Sequence, residues 1–307
     1  MRIRIVTAVL LLLAAFPAAL AQPSAAEYKE KYDRQVRAVG YTGVGVETIL
    51  ERWEAAYPDD PDMLEGRFFF DLTRARSKKM LRTSKPRYMG REPVLTLKDS
   101  TGAPVYLYEE EFYDDSLFNV ALRSLDRAAL LRSDDFLYRA HLLNAQIARE
   151  KEEPVLSVEE LDALISYDKA RRPKWTYRGQ ETEPDFFAGV VQDYCRLYFD
   201  IGSPKSYAAL RRISERMVKL YPSRMEFLCN LGAYWRVAEN NPKKALPYYK
   251  KVLSREKDNY LAARNGYLAA RSVGDKKFQK TCLEVLARVS PQEAERLSAE
   301  AMLKVFK

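Results

Sequence analysis

"NLGAYWRVAENNPKKALPYYKKVL", residues 230–253, carries Leu231, Gly232 and Trp235 on one helix-length run, a polar turn, then Ala245, Tyr249 and Val252 on a second. Offsets of four and seven place the last three on one helix face. Downstream, "RNGYLAA" sets Gly266 one period on, 266 − 232 = 34, and Phe278, Cys282 and Val285 repeat the same offsets. The first unit holds one extra residue in its Asn240-Asn241-Pro242 turn. Ala245 with Tyr249 becomes Phe278 with Cys282, an exchange of small and large that conserves volume in an interdigitated core. The pattern predicts stacked helical hairpins in which glycine admits the second helix to the first.

These residues resemble the tetratricopeptide repeat family, whose units are 34-residue helical hairpins. Leu231, Gly232, Trp235, Ala245 and Tyr249 stand as the family pattern has them, whereas Val252 replaces its second alanine and Lys257 its closing proline. The next unit keeps Gly266 and closes at Ser290-Pro291, with Ala269 in place of the leading aromatic. One period upstream, Leu197 matches Leu231 and Pro222 closes the unit, but Tyr198 replaces the glycine. The match covers about residues 190–291 and is looser over 46–170.

The resemblance implies an all-α, superhelical array of helical hairpins whose first helices line a concave groove. In that register the inward positions include Glu226, Cys229 and Arg236, then Tyr260, Tyr267 and Arg271. The implied groove is aromatic and basic, and suits a protein or peptide partner. The implied role is a non-catalytic interaction module or assembly scaffold, without cofactor.

Helical spacing also runs through residues 28–72, 116–150 and 157–170, broken at the glycines of 40–45 and the prolines of 58–61. Ser157 with Glu160 reads as a capping box. "PVLTLKDSTGAPVYLY", residues 93–108, is rich in β-branched and aromatic residues around a glycine turn, and predicts an inserted β-hairpin. Residues 171–183 lack periodicity and read as an exposed connector. The chain divides on this reading into a leader (1–21), a degenerate repeat region (22–180) and regular repeats (181–307).

The opening "MRIRIVTAVLLLLAAFPAALAQ" has a charged start, a short apolar run and a small-x-small exit, the parts of a secretory signal peptide cleaved after Ala21. The run is too short for a spanning helix, so no integral membrane protein is expected. Removing Arg2 and Arg4 takes the formal charge from +8 to +6 (8 − 2 = 6), modest for a nucleic-acid binder. Export into the periplasm of a Gram-negative bacterium is the expected location, consistent with the absence of any Asn-x-Ser/Thr acceptor. Cys195 and Cys229 are 34 residues apart (229 − 195 = 34). Stacked helices separated by about 8–10 Å exceed the reach of a disulfide, so the thiols are expected free.

His141 is the only histidine and sits in an apolar-periodic run, which favours packing over catalysis. "EEEFYDD", residues 109–115, offers five carboxylates to a metal or a hydrolytic acid–base pair, but an acidic helix start explains it more simply. "RARSKKMLRTSKPR", residues 74–87, carries seven cations and no anion. Its Arg74, Arg76, Lys78, Lys79 and Arg82 form a candidate patch for an anionic partner, against the simpler reading of a solvated helix end. The alternatives kept beside the binding module are a hydrolase using those carboxylates and a structural part of a secretion or cell-wall complex. No phosphate-loop or dinucleotide glycine pattern and no Cys-x-x-Cys occurs.

Overall fold

The computed structural model of the protein describes residues 22–306, so the leader reading lies outside the described residues. Within them the fold is mostly α. Helices α1 (Ala25–Val39), α2 (Val46–Ala56) and α3 (Pro61–Ala75) lead into strands β1 (Arg76–Thr83), β2 (Leu95–Lys98) and β3 (Pro104–Tyr113). Then come α4 (Asp115–Leu131), α5 (Phe136–Glu150) and α6 (Leu156–Arg171), followed by the two-residue strands β4 (Thr176–Tyr177) and β5 (Gln180–Glu181). The remainder is α7 (Phe186–Ile201), α8 (Pro204–Leu220), α9 (Glu226–Ala233), α10 (Pro242–Arg255), α11 (Tyr260–Val273), α12 (Lys276–Val289) and α13 (Glu293–Leu303).

Helix starts follow local chemistry. Ser24 and Glu27 form a capping box at α1, and Asp60, Ser203 and Asn241 cap helices that place proline in the first turn. Consecutive helices pack against one another except across the β4–β5 connector, where α6 packs on α8 rather than on α7. Three apolar clusters form the core, and one of them, from Phe136 to Tyr234, joins α5 to α9. In the first cluster the fully buried Trp53 stacks on Tyr28 at 6.3 Å and donates its indole N–H to Asp60 at 3.0 Å.

The glycine periodicity has a direct packing counterpart. A Cβ on Gly232 would lie 2.6 Å from the buried Tyr249 ring, so α9 and α10 approach over bare backbone. A Cβ on Gly266 would lie 3.0 Å from Phe278 and 3.2 Å from Cys282 Sγ. The exchange of small and large residues read from the two units occurs at these contacts. After Gly232 the helix widens into a π-helical turn, Tyr234–Ala238, before the α10 cap.

The inserted β element is larger than the sequence indicates. Residues 93–108 do form the β2–β3 hairpin, but β1 joins it, giving a three-stranded antiparallel sheet in the order β1-β3-β2. The stretch 74–87 therefore holds the last two residues of α3, Arg74 and Ala75, and beyond them an edge strand and a loop rather than a solvated helix end. The glutamates of 109–111 lie within β3, and the two aspartates serve the next helix: Asp114 caps it, accepting from Leu117 N–H at 2.9 Å, and Asp115 is the acidic residue of its first turn. Alternating charge across β1 and β3 explains the correction. Arg76 meets Glu111 at 3.0 Å and Lys78 meets Glu109 at 2.7 Å, cross-strand pairs that neither segment has alone.

Two further expectations change. Ser157 and Glu160 do not form a capping box; Glu150, at the end of α5, folds back and accepts from the backbone N–H groups of Val155 (3.0 Å), Leu156 and Ser157 (3.1 Å). A carboxylate satisfying several helix-start donors does the work of an N-cap side chain. The connector 171–183 is not simply exposed, because Trp175 is buried against Phe136 and Phe187 and the β4–β5 hairpin folds over α5.

Candidate functional site

Each odd-numbered helix bonds to the next odd-numbered helix through side chains, so these helices form one continuous side of the molecule. Tyr32 of α1 donates to the Gly66 carbonyl of α3 at 3.3 Å, and His141 Nε2 of α5 meets Glu65 of α3 at 2.9 Å. Tyr194 of α7 donates to Asn144 of α5 at 3.3 Å, and the amides of Gln192 and Asn230 join α7 to α9 at 3.2 and 2.8 Å. Beyond α9, Arg236 donates to Asn265 of α11 at 3.2 Å, and Arg264 pairs with Glu295 of α13 at 3.5 Å.

This side holds three hollows. Between α5 and α7 lies an apolar cleft of about 380 Å³, walled by Phe136, Phe186, Val190 and Leu197 with Tyr177 over one end. Leu197 and Tyr177, each 38% exposed, present apolar surface at this cleft. Tyr177 is held there by Asp135, the buried N-cap of α5. Its carboxylate accepts from Leu137 N–H at 3.0 Å, Arg178 N–H at 3.1 Å and Gly179 N–H at 2.9 Å. One carboxylate thus starts α5 and pins the β4–β5 hairpin above it.

Among α1, α3 and α5 a second hollow of about 340 Å³ collects Asp62, Glu65 and His141 beside Tyr41 and Phe69, with Arg178 at its mouth. Burial holds the Asp62 carboxyl above its ordinary value despite the opposing charge of Lys29. The third, about 460 Å³, brings Arg236 and Arg271 together with Asn240 and Ser272 where α9 and α11 end.

The expected groove residues separate into two groups. Arg236 and Arg271 share the third hollow. Tyr260 and Tyr267 pack against the last core cluster instead, and the Tyr267 hydroxyl lies 3.2 Å from Met302 beside α13. Glu226 pairs with Arg224 at 2.7 Å, and Cys229 is buried. All three cysteines are buried and free of disulfides, and desolvation pushes each thiol up to about 12. His141 is part of the α3–α5 junction, with Phe69 edge-on at 5.0 Å.

Of the candidate basic patch, Arg74 pairs with Glu47 at 3.7 Å, and Arg76 and Lys78 pair with the β3 glutamates. Lys79 lies over the Phe112 ring at 5.5 Å. Arg82 alone of the five has no ion pair or aromatic partner among the described residues. The same pairing engages Glu109 and Glu111, while the buried Glu110 holds Arg91 and, at 3.0 Å, Lys151. These carboxylates are partners of cations on a sheet, not a pair facing a cleft.

Phe136, Tyr177, Phe186 and Leu197 were not candidates from sequence. Their signal is weak: Tyr177 lies in a segment without periodicity, and Leu197 reads as an ordinary array residue. No family model and no curated protein matches the chain. Among the described residues, no helix is long and apolar enough to cross a membrane, and no three His, Cys, Asp or Glu side chains are placed so that they could hold a metal ion.

Proposed function

We propose that this chain is an exported, tetratricopeptide-like array that binds a segment of a partner protein on its odd-helix side and performs no catalysis. The α5–α7 cleft carries the reading: an apolar hollow with exposed Leu197 and Tyr177, on a side otherwise tied together by polar bonds. Burying exposed apolar surface is the main gain available to a docking partner. The array reading is supported by the alternation of helix contacts and by the bare-backbone approaches at Gly232 and Gly266. On this reading the odd helices line the concave groove, and the protein serves as an interaction module or scaffold in the periplasm of a Gram-negative envelope.

A photo-crosslinking side chain at position 197 tests the proposal in the native envelope, with one at the exposed Lys251 of the even-numbered α10 as control. The expected result is a single dominant adduct from position 197 and none from position 251. Equal adducts from both positions would refute a dedicated binding side.

A further inference from the structure

We infer that the segment bound on this side is extended and acidic, with one bulky apolar side chain in the α5–α7 cleft and its acidic residues about six positions away. The inference rests on the odd-helix side being the binding surface and adds the chemistry of what binds there.

The sign of the charge follows from which groups are already paired. The third hollow is lined by Arg236, Asn240, Pro242, Leu268, Arg271 and Ser272, without a carboxylate. Among the described residues, Arg178 and Arg271 have no carboxylate within ion-pair distance, and Arg236 bonds only the neutral amide of Asn265. The third hollow, with two arginines and no carboxylate in its lining, is therefore positive.

The spacing follows from helix geometry. The apolar cleft lies between α5 and α7, and the arginine hollow between α9 and α11, two interaxial steps away, or about 18 Å. Gln192 and Asn230 lie level with one another, and Arg236 is six residues further along (236 − 230 = 6), adding about 9 Å along the axis. The separation is about 20 Å, which about six extended residues span at about 3.3 Å each. A helical segment would need about 13 residues for the same distance.

The test uses labelled synthetic peptides on a glycine-serine background, each with one tryptophan and one glutamate pair about 3, 6, 9 or 13 residues away, titrated against the full chain. Tightest binding at six supports the inference. Arg271→Glu, and Arg236→Glu with Arg271→Glu, are expected to weaken that peptide by up to about tenfold and to favour its lysine counterpart, with circular dichroism verifying the fold. A flat spacing profile, an optimum at 13, preference of the unaltered protein for lysine, or no binding by any peptide would overturn the inference. Replacing the tryptophan by a photo-crosslinking residue separates the two readings. Adducts on α5 and α7 with a flat profile leave the binding side standing and remove the acidic spacing, whereas adducts elsewhere remove both.

Discussion

Between α9 and α12 the helices meet over small residues: Gly232 beneath Tyr249, Gly266 beneath Phe278 and Cys282, and Ala245, Ala262, Ala263 and Ala269 fully buried. Between α3 and α7 the chain departs from the helical rhythm twice, and buried or half-buried carboxylates hold each departure. Glu110 ties the sheet to Arg91 and Lys151, Glu150 starts α6, and Asp135 pins the β4–β5 hairpin. The regular region is thus set by shape, which tolerates no added atom. The irregular region is set by charge-assisted hydrogen bonds, which tolerate no lost acceptor.

That contrast is open to attack from both ends. Gly232→Leu is expected to cost about 3 kcal/mol, the upper range for overpacking, because the new side chain enters a buried ring 2.6 Å away. An unchanged denaturant midpoint would show that α9 and α10 are not tightly apposed. Asp135→Ala removes an acceptor from three backbone donors and is expected to cost about 2 kcal/mol. It should also release Tyr177, so faster hydrogen exchange over residues 176–181 is the expected companion result. If exchange there is unaffected, Asp135 does not position the cleft wall.

A smaller effect is expected in alkali. Burial raises each thiol from 9.0 to about 12, so the native state disfavours the thiolate more than the unfolded chain does. That contribution is fully present below pH 9 and is lost as pH rises towards 12; buried tyrosines such as Tyr198 and Tyr249, raised by the same desolvation, act in the same direction. The denaturant midpoint should therefore fall steadily above pH 9, and thiol reagents at neutral pH should label the native protein far more slowly than the unfolded one. Rapid native labelling of Cys195 would break the packing assigned to α7 and α8. The smallest effect belongs to the sheet, where Lys78→Ala should leave the midpoint unchanged within error. Both partners of its pair with Glu109 are more than half exposed and screened by water. A clear loss there would mean that the sheet has a structural role like that of the buried carboxylates.

Residues 230–291 declare their own packing, because each helix there contacts its sequence neighbour and the period of apolar residues reports that contact directly. Gly232, Gly266 and the exchanged Ala245-Tyr249 and Phe278-Cys282 pairs all meet as their spacing implies. Arg236 and Arg271 could likewise be found from a register on those glycines. Tyr260 and Tyr267 are half-buried on α11, where α13 adds a further helix against which they pack. The register gave no hint of Phe136, Tyr177 and Leu197, which come from three elements and converge only after the connector folds back.

By itself, then, the sequence determined the mostly helical class, the glycine contacts between adjacent helices and the existence of a β-hairpin near residues 93–108. Each depends on interactions within about one helical hairpin, where periodicity and turn chemistry act locally. Only the tertiary structure decided that a basic stretch becomes an edge strand opposite acidic β3, and that Asp135 pins a hairpin more than forty residues away. It alone assembled the apolar cleft between α5 and α7. Those features are pairings across long separations, and neither partner carries a mark of the other in its own stretch of chain.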